Sequence, residues 1–170
     1  MKKSYGVILI GCGHIGEQHI QEIYDKHEAT IIATIDTNED IAREFARRFE
    51  AKHYGTDYRP FLEDPRVEIV IIATYTDTHF PILKECLRHG KHVICEKPIA
   101  TSAEEYCRLK ALADEKGLVY MEAIIPRFVP WRKAILEGLV SIGEDAFRYN
   151  ESIAELTLQI KNHFSRYVNY

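Results

Sequence analysis

The sequence has no long apolar run and no paired cysteine motif, and both absences limit what the chain can be. No stretch approaches the roughly 18 consecutive apolar residues of a membrane-spanning helix, and the short apolar run after Lys2 and Lys3 does not resemble a secretory signal. The four cysteines show no C-x-x-C spacing, so we expect free thiols in a reducing cytoplasm. We expect Cys95 and Cys107 to be buried as small apolar side chains.

Signals for metal binding and for nucleic-acid binding are also missing. The eight histidines form neither an H-E-x-x-H motif nor a Cys/His pair, so no metal site is predicted. The net charge is −4, from 22 basic and 26 acidic residues, and no Lys/Arg run forms a basic patch, which argues against nucleic acid as the main partner. We therefore expect a cytoplasmic protein whose partner is a small molecule, with neither nucleic acid nor a membrane involved.

What the sequence does contain is an alternation of strand-like and helix-like patterns along most of its 170 residues. Apolar runs predict strands at 5–10, 30–35, 67–74, 91–95 and 118–121, and 52–54, closed by Gly55, is a candidate short strand. Amphipathic stretches between them predict helices at 14–26, 38–49, 57–62, 80–89 and 102–116. The alternation predicts an α/β fold with a doubly wound parallel sheet, followed by a short C-terminal helical extension with helices at 131–139 and 151–167.

The first strand runs directly into a glycine-rich turn. The turn reads Gly-Cys-Gly-His-Ile-Gly, which matches the G-x-G-x-x-G pattern of Rossmann-type dinucleotide-binding turns. Gly11 would allow the tight turn, Gly13 the close approach of a pyrophosphate, and Gly16 the packing of the helix on the strand. His14 and Ile15 would lie in the first turn of that helix, whose N–H groups and partial positive charge favour phosphate.

A second apolar run ends in Asp36, twenty residues after Gly16. A carboxylate at this position would accept hydrogen bonds from the adenosine ribose hydroxyls of a dinucleotide. The alternative is a βαβ unit whose glycines only form a turn and whose Asp36 caps the helix at 38–48. Because the carboxyl ends of parallel strands meet at one edge, the segments after each strand should line one rim.

These strand-end segments carry a resemblance to a known family. In chain order, these segments read GCGHIG, ATID, ATYTDTHF, GKHVICEKPIA and YMEAIIPRFVP. With them the chain resembles the Gfo/Idh/MocA oxidoreductase family over residues 1–144. The last segment is similar to the dihydrodiol dehydrogenase branch of that family. The resemblance implies NAD(P)-dependent hydride transfer between nicotinamide and a sugar, polyol or diol-like alcohol or carbonyl compound. It implies a dinucleotide-binding domain over 1–122, with 123–170 as the remnant or start of a substrate domain, mostly helical.

The resemblance also implies roles for single residues on the cofactor side. The three glycines would hold the pyrophosphate, and Asp36 would bind the adenosine ribose and favour NAD over NADP. Thr74 and Thr76, with His79 near them, would lie along the cofactor. His79 could instead cap or begin the helix at 80–89, and Tyr75 departs from the proline common in the family at its position.

Further residues would lie beside the nicotinamide. The resemblance implies this place for Glu96, Lys97 and Pro98, with Pro98 after a cis bond and Lys97 as the general acid/base or substrate-orienting lysine, and it implies that Arg127 lies near the carboxamide or the substrate. A lysine at a strand end, flanked by an acid and fixed by a proline, could orient a hydroxyl and relay its proton. The alternative is a Glu96–Lys97 surface ion pair, which contributes little.

Full-length members of the family are much longer, and their second domain supplies an Asp/His pair that completes the site. We expect no such pair within these 170 residues. Residues 151–167 would expose an apolar face, which suggests packing on the nucleotide domain or a homodimer contact, so we expect a homo-oligomer. Three interpretations stay open: an oxidoreductase whose site a partner chain could complete; an NAD(P)-binding module without turnover; and a truncated fragment of a longer enzyme.

Overall fold

The computed structural model of the chain describes residues 4–26 and 29–123. Contacts between residues divide the chain after Ala123, and the first compact unit is Met1–Ala123. The predicted helices at 131–139 and 151–167 lie outside the described residues. The elements follow in the order β1 (Tyr5–Ile10), α1 (His14–Lys26), β2 (Ala29–Ile35), α2 (Glu39–Arg48), β3 (His53–Gly55), α3 (Arg59–Leu62), β4 (Ile69–Ile72), α4 (Thr76–Arg88), β5 (His92–Cys95), α5 (Ala103–Lys116) and β6 (Tyr120–Glu122).

The strands form one parallel sheet in the order β3-β2-β1-β4-β5-β6. Strand order reverses at β1, which pairs with β2 on one side and with β4 on the other. The predicted doubly wound α/β fold is therefore confirmed. In such sheets ligands bind outside the carboxyl ends of the strands where the order reverses, so the turn after β1 marks the expected binding position.

Strand β1 is buried on both of its faces. Val7 and Leu9 belong to one apolar cluster, and Ile8 and Ile10 belong to the other. None of these side chains is more than 4% exposed, and fully burying an aliphatic side chain contributes about 1.5–3 kcal/mol. Burial from both sides explains why the strand is apolar without alternation.

Helix α4 begins earlier than the sequence patterns predict. It spans Thr76–Arg88, and its N-cap is Tyr75 with an extended backbone at φ −74 and ψ 148. The prediction placed Pro81 in the first turn, but Pro81 lies inside the helix. A proline at this position removes one helical N–H donor and crowds the carbonyl of Asp77, and the helix nevertheless continues through it. The predicted start at residue 80 is wrong, and so is the alternative in which His79 caps or begins the helix.

The cysteines are free, as predicted, but their burial is only partly as predicted. All four are free thiols. Cys95 is buried, which confirms its prediction, whereas Cys107 on α5 is exposed. The prediction for Cys107 is wrong because the side chain lies on the solvent side of an amphipathic helix whose buried residues are Leu109 and Ala113.

Candidate functional site

The turn after β1 has no room for side chains at its first and last glycines. Gly11 has φ +95, in the left-handed region, and a Cβ there would lie 2.4 Å from the carbonyl oxygen of Ala73. A Cβ on Gly16 would lie 2.1 Å from the carbonyl oxygen of Gly11. Glycine at these positions therefore lets the turn, the end of β4 and the start of α1 come into backbone contact.

The middle glycine of the turn borders open space. No atom lies within 4 Å of a Cβ built on Gly13. At the start of α1, Glu17 N donates to Gly13 O at 2.9 Å. The N–H groups of His14 and Ile15 come before this bond, so the helix itself offers them no carbonyl partner. Open space beside these N–H groups, at the positive end of a helix, fits the pyrophosphate of a dinucleotide.

The side chains of His14 and Ile15 are both exposed at this turn. Ile15 is 40% exposed, and the Nε2 atom of His14 lies 3.1 Å from Nε2 of Gln18, one helical turn further on. Neither side chain contributes to the apolar clusters. Their contribution to phosphate binding would come from the backbone, as the glycine pattern predicts.

Asp36 connects the glycine turn to the end of β2. Its Oδ2 accepts a hydrogen bond from Cys12 N at 2.8 Å, and its Oδ1 accepts one from Asn38 N at 2.9 Å. Helix α2 is capped by Asn38, whose side chain accepts from Asp40 N and Ile41 N. The alternative in which Asp36 caps this helix is therefore wrong, and its carboxylate lies beside the turn instead.

The surroundings of Asp36 on α2 are acidic. Glu39 and Asp40 lie in the first turn of α2. Arg43, the nearest arginine along the helix, pairs with them at 3.2 and 2.9 Å and lies 5.2 Å from the centroid of the Tyr54 ring. This guanidinium already has carboxylate partners, so the region suits a bound ribose hydroxyl better than a bound 2′-phosphate.

Cys12, inside the glycine turn, has a structural thiol. The side chain is 3% exposed and its Sγ lies 3.5 Å from the carbonyl oxygen of Ile35. Burial, with a contribution from the charge of Asp36, raises the pKa of the Cys12 thiol to about 12. The thiol is therefore neutral at physiological pH and is not a nucleophile.

Hydroxyl groups fix the segment that follows β4. The Oγ1 atom of Thr78 lies 2.7 Å from Oγ1 of Thr74 and 2.7 Å from the carbonyl oxygen of Tyr75. The ring of Tyr75 is 86% exposed. Thr74 and Thr76 both lie at the carboxyl edge of the sheet, on the rim where the sequence predicts the cofactor.

His79 supports this rim and does not line it. Its side chain is 2% exposed, with Nδ1 2.8 Å from the carbonyl oxygen of Pro98 and Nε2 3.0 Å from that of Thr74. Both partners are carbonyl oxygens, which only accept, and each ring nitrogen lies within hydrogen-bond distance of one of them. The predicted direct contact with a cofactor is not available to this buried ring, which instead joins the end of β4 to the segment after β5.

Glu96 faces α1 rather than Lys97. Its Oε1 lies 2.8 Å from Nε2 of His19, and the two side chains are 13% and 22% exposed. Its Oε2 accepts a hydrogen bond from the backbone N–H of Lys97 at 3.3 Å. Within residues 4–26 and 29–123 there is no Glu96–Lys97 ion pair, which was the alternative to a functional lysine.

Further contacts hold the lysine loop, the name used here for residues 96–99. The Lys97–Pro98 bond is cis, as predicted, and the Pro98 carbonyl bonds the buried histidine of α4. The N–H of Ile99 donates to Oε1 of Glu122, at the end of β6, at 3.2 Å. Contacts from α1, α4 and β6 therefore converge on this loop.

The ammonium group of Lys97 is the free part of the loop. The residue is exposed, and no hydrogen bond or ion pair joins its Nζ to another described residue. A fixed backbone thus presents an uncommitted cation at the carboxyl edge of the sheet, which suits a group that contacts a substrate oxygen.

Sequence reasoning missed His19, and it placed Glu122 on this rim without its contact to Ile99. His19 and Glu96 are separated by 77 positions, and Ile99 and Glu122 by 23, so no local pattern connects them. The available signal for Glu122 was its place at the end of the last strand, on the same rim. Arg127 lies outside the described residues.

Other kinds of site find no support in the part of the chain that the structure describes. There, no group of His, Cys, Asp or Glu side chains could hold a metal ion. Its helices are also too short or too polar for any of them to cross a membrane.

Comparisons with known proteins agree with the fold and the turn. A family model described as "Oxidoreductase family, NAD-binding Rossmann fold" (GFO_IDH_MocA) matches residues 5–124. The trans-1,2-dihydrobenzene-1,2-diol dehydrogenase of Mus musculus is 40% identical over 116 residues, which is 68% of this chain and 34% of that enzyme. This chain therefore spans about a third of the length of the mouse protein.

Solved structures give the same result. KijD10, a 3-ketoreductase from Actinomadura kijaniata in complex with NADP and TDP-benzene, matches with a TM-score of 0.75 and 27% identity, over 83% of this chain and 43% of that one. GenD2 from gentamicin A biosynthesis, in complex with NAD, matches with a TM-score of 0.68 and 29% identity, over 71% of this chain and 34% of that one. The prediction of NAD as the cofactor is confirmed by the family that matches. The sheet, the glycine turn and these matches together identify the chain as a member of the Gfo/Idh/MocA family of NAD-binding oxidoreductases.

Proposed function

We propose that this chain forms the cofactor-binding half of an oxidoreductase that transfers hydride between the nicotinamide of NAD and a sugar, polyol or diol, at an alcohol or carbonyl carbon. The names of its relatives support this substrate class, since one is a dihydrodiol dehydrogenase and another a 3-ketoreductase. Residues from 123 onward would begin the domain that selects the substrate, and Arg127 would approach the carboxamide or the substrate.

The strand order supports one direction for the cofactor. The pyrophosphate would lie at the turn after β1, against the N–H groups of His14 and Ile15. Asp36 follows β2, on one side of β1, and the lysine loop follows β5, on the other side. If Asp36 binds the adenosine ribose, the nicotinamide half extends past β4 towards the lysine loop, with Thr74 and Thr76 beside it.

The observation that carries the proposal is the uncommitted ammonium of Lys97 on a loop held from α1, α4 and β6. A nicotinamide, when bound, supplies the hydride donor or acceptor. Lys97 would orient the substrate hydroxyl or carbonyl oxygen and donate or accept the proton there. Glu96, Pro98 and His79 would hold the backbone that presents it.

Titration of the purified chain with NADH, followed by fluorescence, tests the cofactor site. A hydride-transfer screen over polyols, sugars and trans-diols then tests turnover. Lys97→Met should abolish turnover and leave NADH binding within a few-fold of the unmodified chain, because the pyrophosphate and ribose contacts are unchanged. Failure of the unmodified chain to bind NADH would reject the proposal.

A second function, binding of NAD without turnover, is favoured by one specific observation. No described residue partners the Lys97 ammonium as a catalytic Asp or His would. NADH binding without turnover on any compound of the screen would support this module and reject the enzyme for the chain as it stands.

A further inference from the structure

The contact between His19 and Glu96 links two parts of the molecule that the proposed function keeps separate. His19 lies on α1, the helix whose first turn would hold the pyrophosphate. Glu96 lies at the end of β5 and begins the lysine loop. The 2.8 Å contact between Nε2 and Oε1 therefore spans β4, which lies between β1 and β5 in the sheet.

The burial of the pair makes it more than a surface contact. The side chains of Glu96 and His19 are 13% and 22% exposed, so water screens their interaction less than it screens an exposed pair. A carboxylate at this depth needs a partner, since leaving it unpaired is costly. His19 supplies that partner, and the ammonium of the adjacent Lys97 forms no ion pair with Glu96.

We propose that His19 is a positioning residue for the nicotinamide half of the cofactor site. Through Glu96 it fixes the lysine loop relative to the helix that holds the pyrophosphate, and it leaves the Lys97 ammonium uncommitted. This inference rests on the proposed cofactor site, with the nicotinamide beside the lysine loop. It adds a residue to which neither the glycine pattern nor the lysine motif points.

The test compares the binding of NADH with the binding of ADP-ribose, which is the same molecule without the nicotinamide. NADH would contact both the turn after β1 and the lysine loop, whereas ADP-ribose lacks the nicotinamide. In His19→Ala we expect NADH affinity to fall by about three- to tenfold, less than for the loss of a direct hydrogen bond to a charged group, because His19 acts only through Glu96. ADP-ribose affinity should stay unchanged. His19→Gln, whose amide can still donate to Glu96, should restore most of the NADH affinity.

The chain offers a matched control pair at a distance from the rim. His89, at the C-cap of α4, lies 3.2 Å from the carboxylate of Glu63. His89→Ala removes a contact of the same chemistry and should leave both affinities unchanged. The single variants His19→Ala and Glu96→Gln are then compared with the double variant that carries both changes. If the two residues act through one bond, the double variant should bind NADH as well as the weaker-binding of the two single variants.

The outcomes separate this inference from the proposed function. If the unmodified chain does not bind NADH, the proposed cofactor site fails. If it binds NADH and His19→Ala binds it equally well, the positioning role is overturned while the cofactor site stands. If His19→Ala weakens NADH and ADP-ribose to the same extent, His19 supports the fold in general, and the positioning role is again overturned.

Discussion

At the residue scale, Asp36 has to share its oxygens between the protein and a ribose. Both oxygens already accept backbone hydrogen bonds, from Cys12 N and Asn38 N, and each can accept another. Asp36→Ala removes every one of these bonds. We expect NADH affinity to fall by about tenfold or more, because a hydrogen bond to a charged acceptor contributes about 1.5–3 kcal/mol. Fluorescence titration with NADH measures the change.

Asp36→Asn separates the charge of this side chain from its hydrogen bonds. The amide keeps one acceptor oxygen for the glycine turn but removes the carboxylate that would repel a 2′-phosphate. The ratio of NADH to NADPH affinity should therefore shrink, with the thermal midpoint of unfolding as the control for fold. Tighter binding of NADPH than NADH by the unmodified chain would contradict the role given to Asp36.

Residue identity could be predicted from the sequence where the backbone itself imposes it. Gly11 and Gly16 are required by contacts within one short turn, and a motif of adjacent residues marks Lys97 and Pro98. His79 was assigned to the wrong surface because its partners are backbone carbonyl oxygens, which no pattern of side chains reveals. His19 was missed for a similar reason, since its partner is 77 positions away.

At the element scale, the first turn of α1 gives a matched pair of glycine variants. Gly13 lacks a positive φ, and a Cβ there meets nothing within 4 Å. Gly13→Ala should leave the free energy of unfolding nearly unchanged. Its Cβ would enter the space proposed for the pyrophosphate, so NADH binding should weaken at least tenfold. Chemical denaturation and NADH titration on the same preparation measure both quantities.

Gly16→Ala should behave in the opposite way. Alanine usually stabilises a helix relative to glycine by roughly 0.5–1 kcal/mol, but here its Cβ would lie 2.1 Å from the Gly11 carbonyl oxygen. The backbone of the turn must shift, so we expect a loss of about 1–3 kcal/mol in unfolding free energy, as for an overpacked core. A Gly16→Ala chain as stable as the unmodified one would show that the turn is not closed as described.

The four central strands β1, β2, β4 and β5 could be predicted because each contains an apolar run. The start of α4 could not, since Pro81 suggested a first turn that lies further along the chain than the real one. What decides that start is the extended backbone of Tyr75 and the hydroxyl of Thr78 below it. These are local geometries that several sequences could adopt.

At the scale of the whole molecule, alternation of strands and helices is sufficient to predict which segments meet. Right-handed crossovers between parallel strands bring the ends of β1, β2, β4 and β5 to one edge. The sequence therefore predicted which segments lie at this edge of the sheet, but it did not predict the side-chain contacts that join them. Topology is set by many apolar residues together, but a contact such as His19–Glu96 depends on two side chains and the exact spacing of three strands.

The thiols allow the folding of both faces of the sheet to be followed at once. Cys12 belongs to one apolar cluster, and Cys86 and Cys95 belong to the other. Burial raises the pKa of the thiols of Cys12 and Cys86 to about 12, so both resist alkylation while the core is intact. Cys107 is exposed and should be the cysteine that iodoacetamide labels in the native chain.

With rising urea concentration, Cys12, Cys86 and Cys95 should become reactive over the same narrow range, because β1 contributes to both clusters and a domain of this size usually unfolds as one unit. Peptide mapping by mass spectrometry after brief labelling assigns the reaction to each cysteine, and Cys107 provides the reference for reagent activity at every urea concentration. Labelling of Cys12 well before Cys86 and Cys95 would mean that the face carrying α1 and α2 opens alone. The glycine turn would then lose its geometry while the lysine loop kept its own, and the two ends of the cofactor site would not be held as a unit.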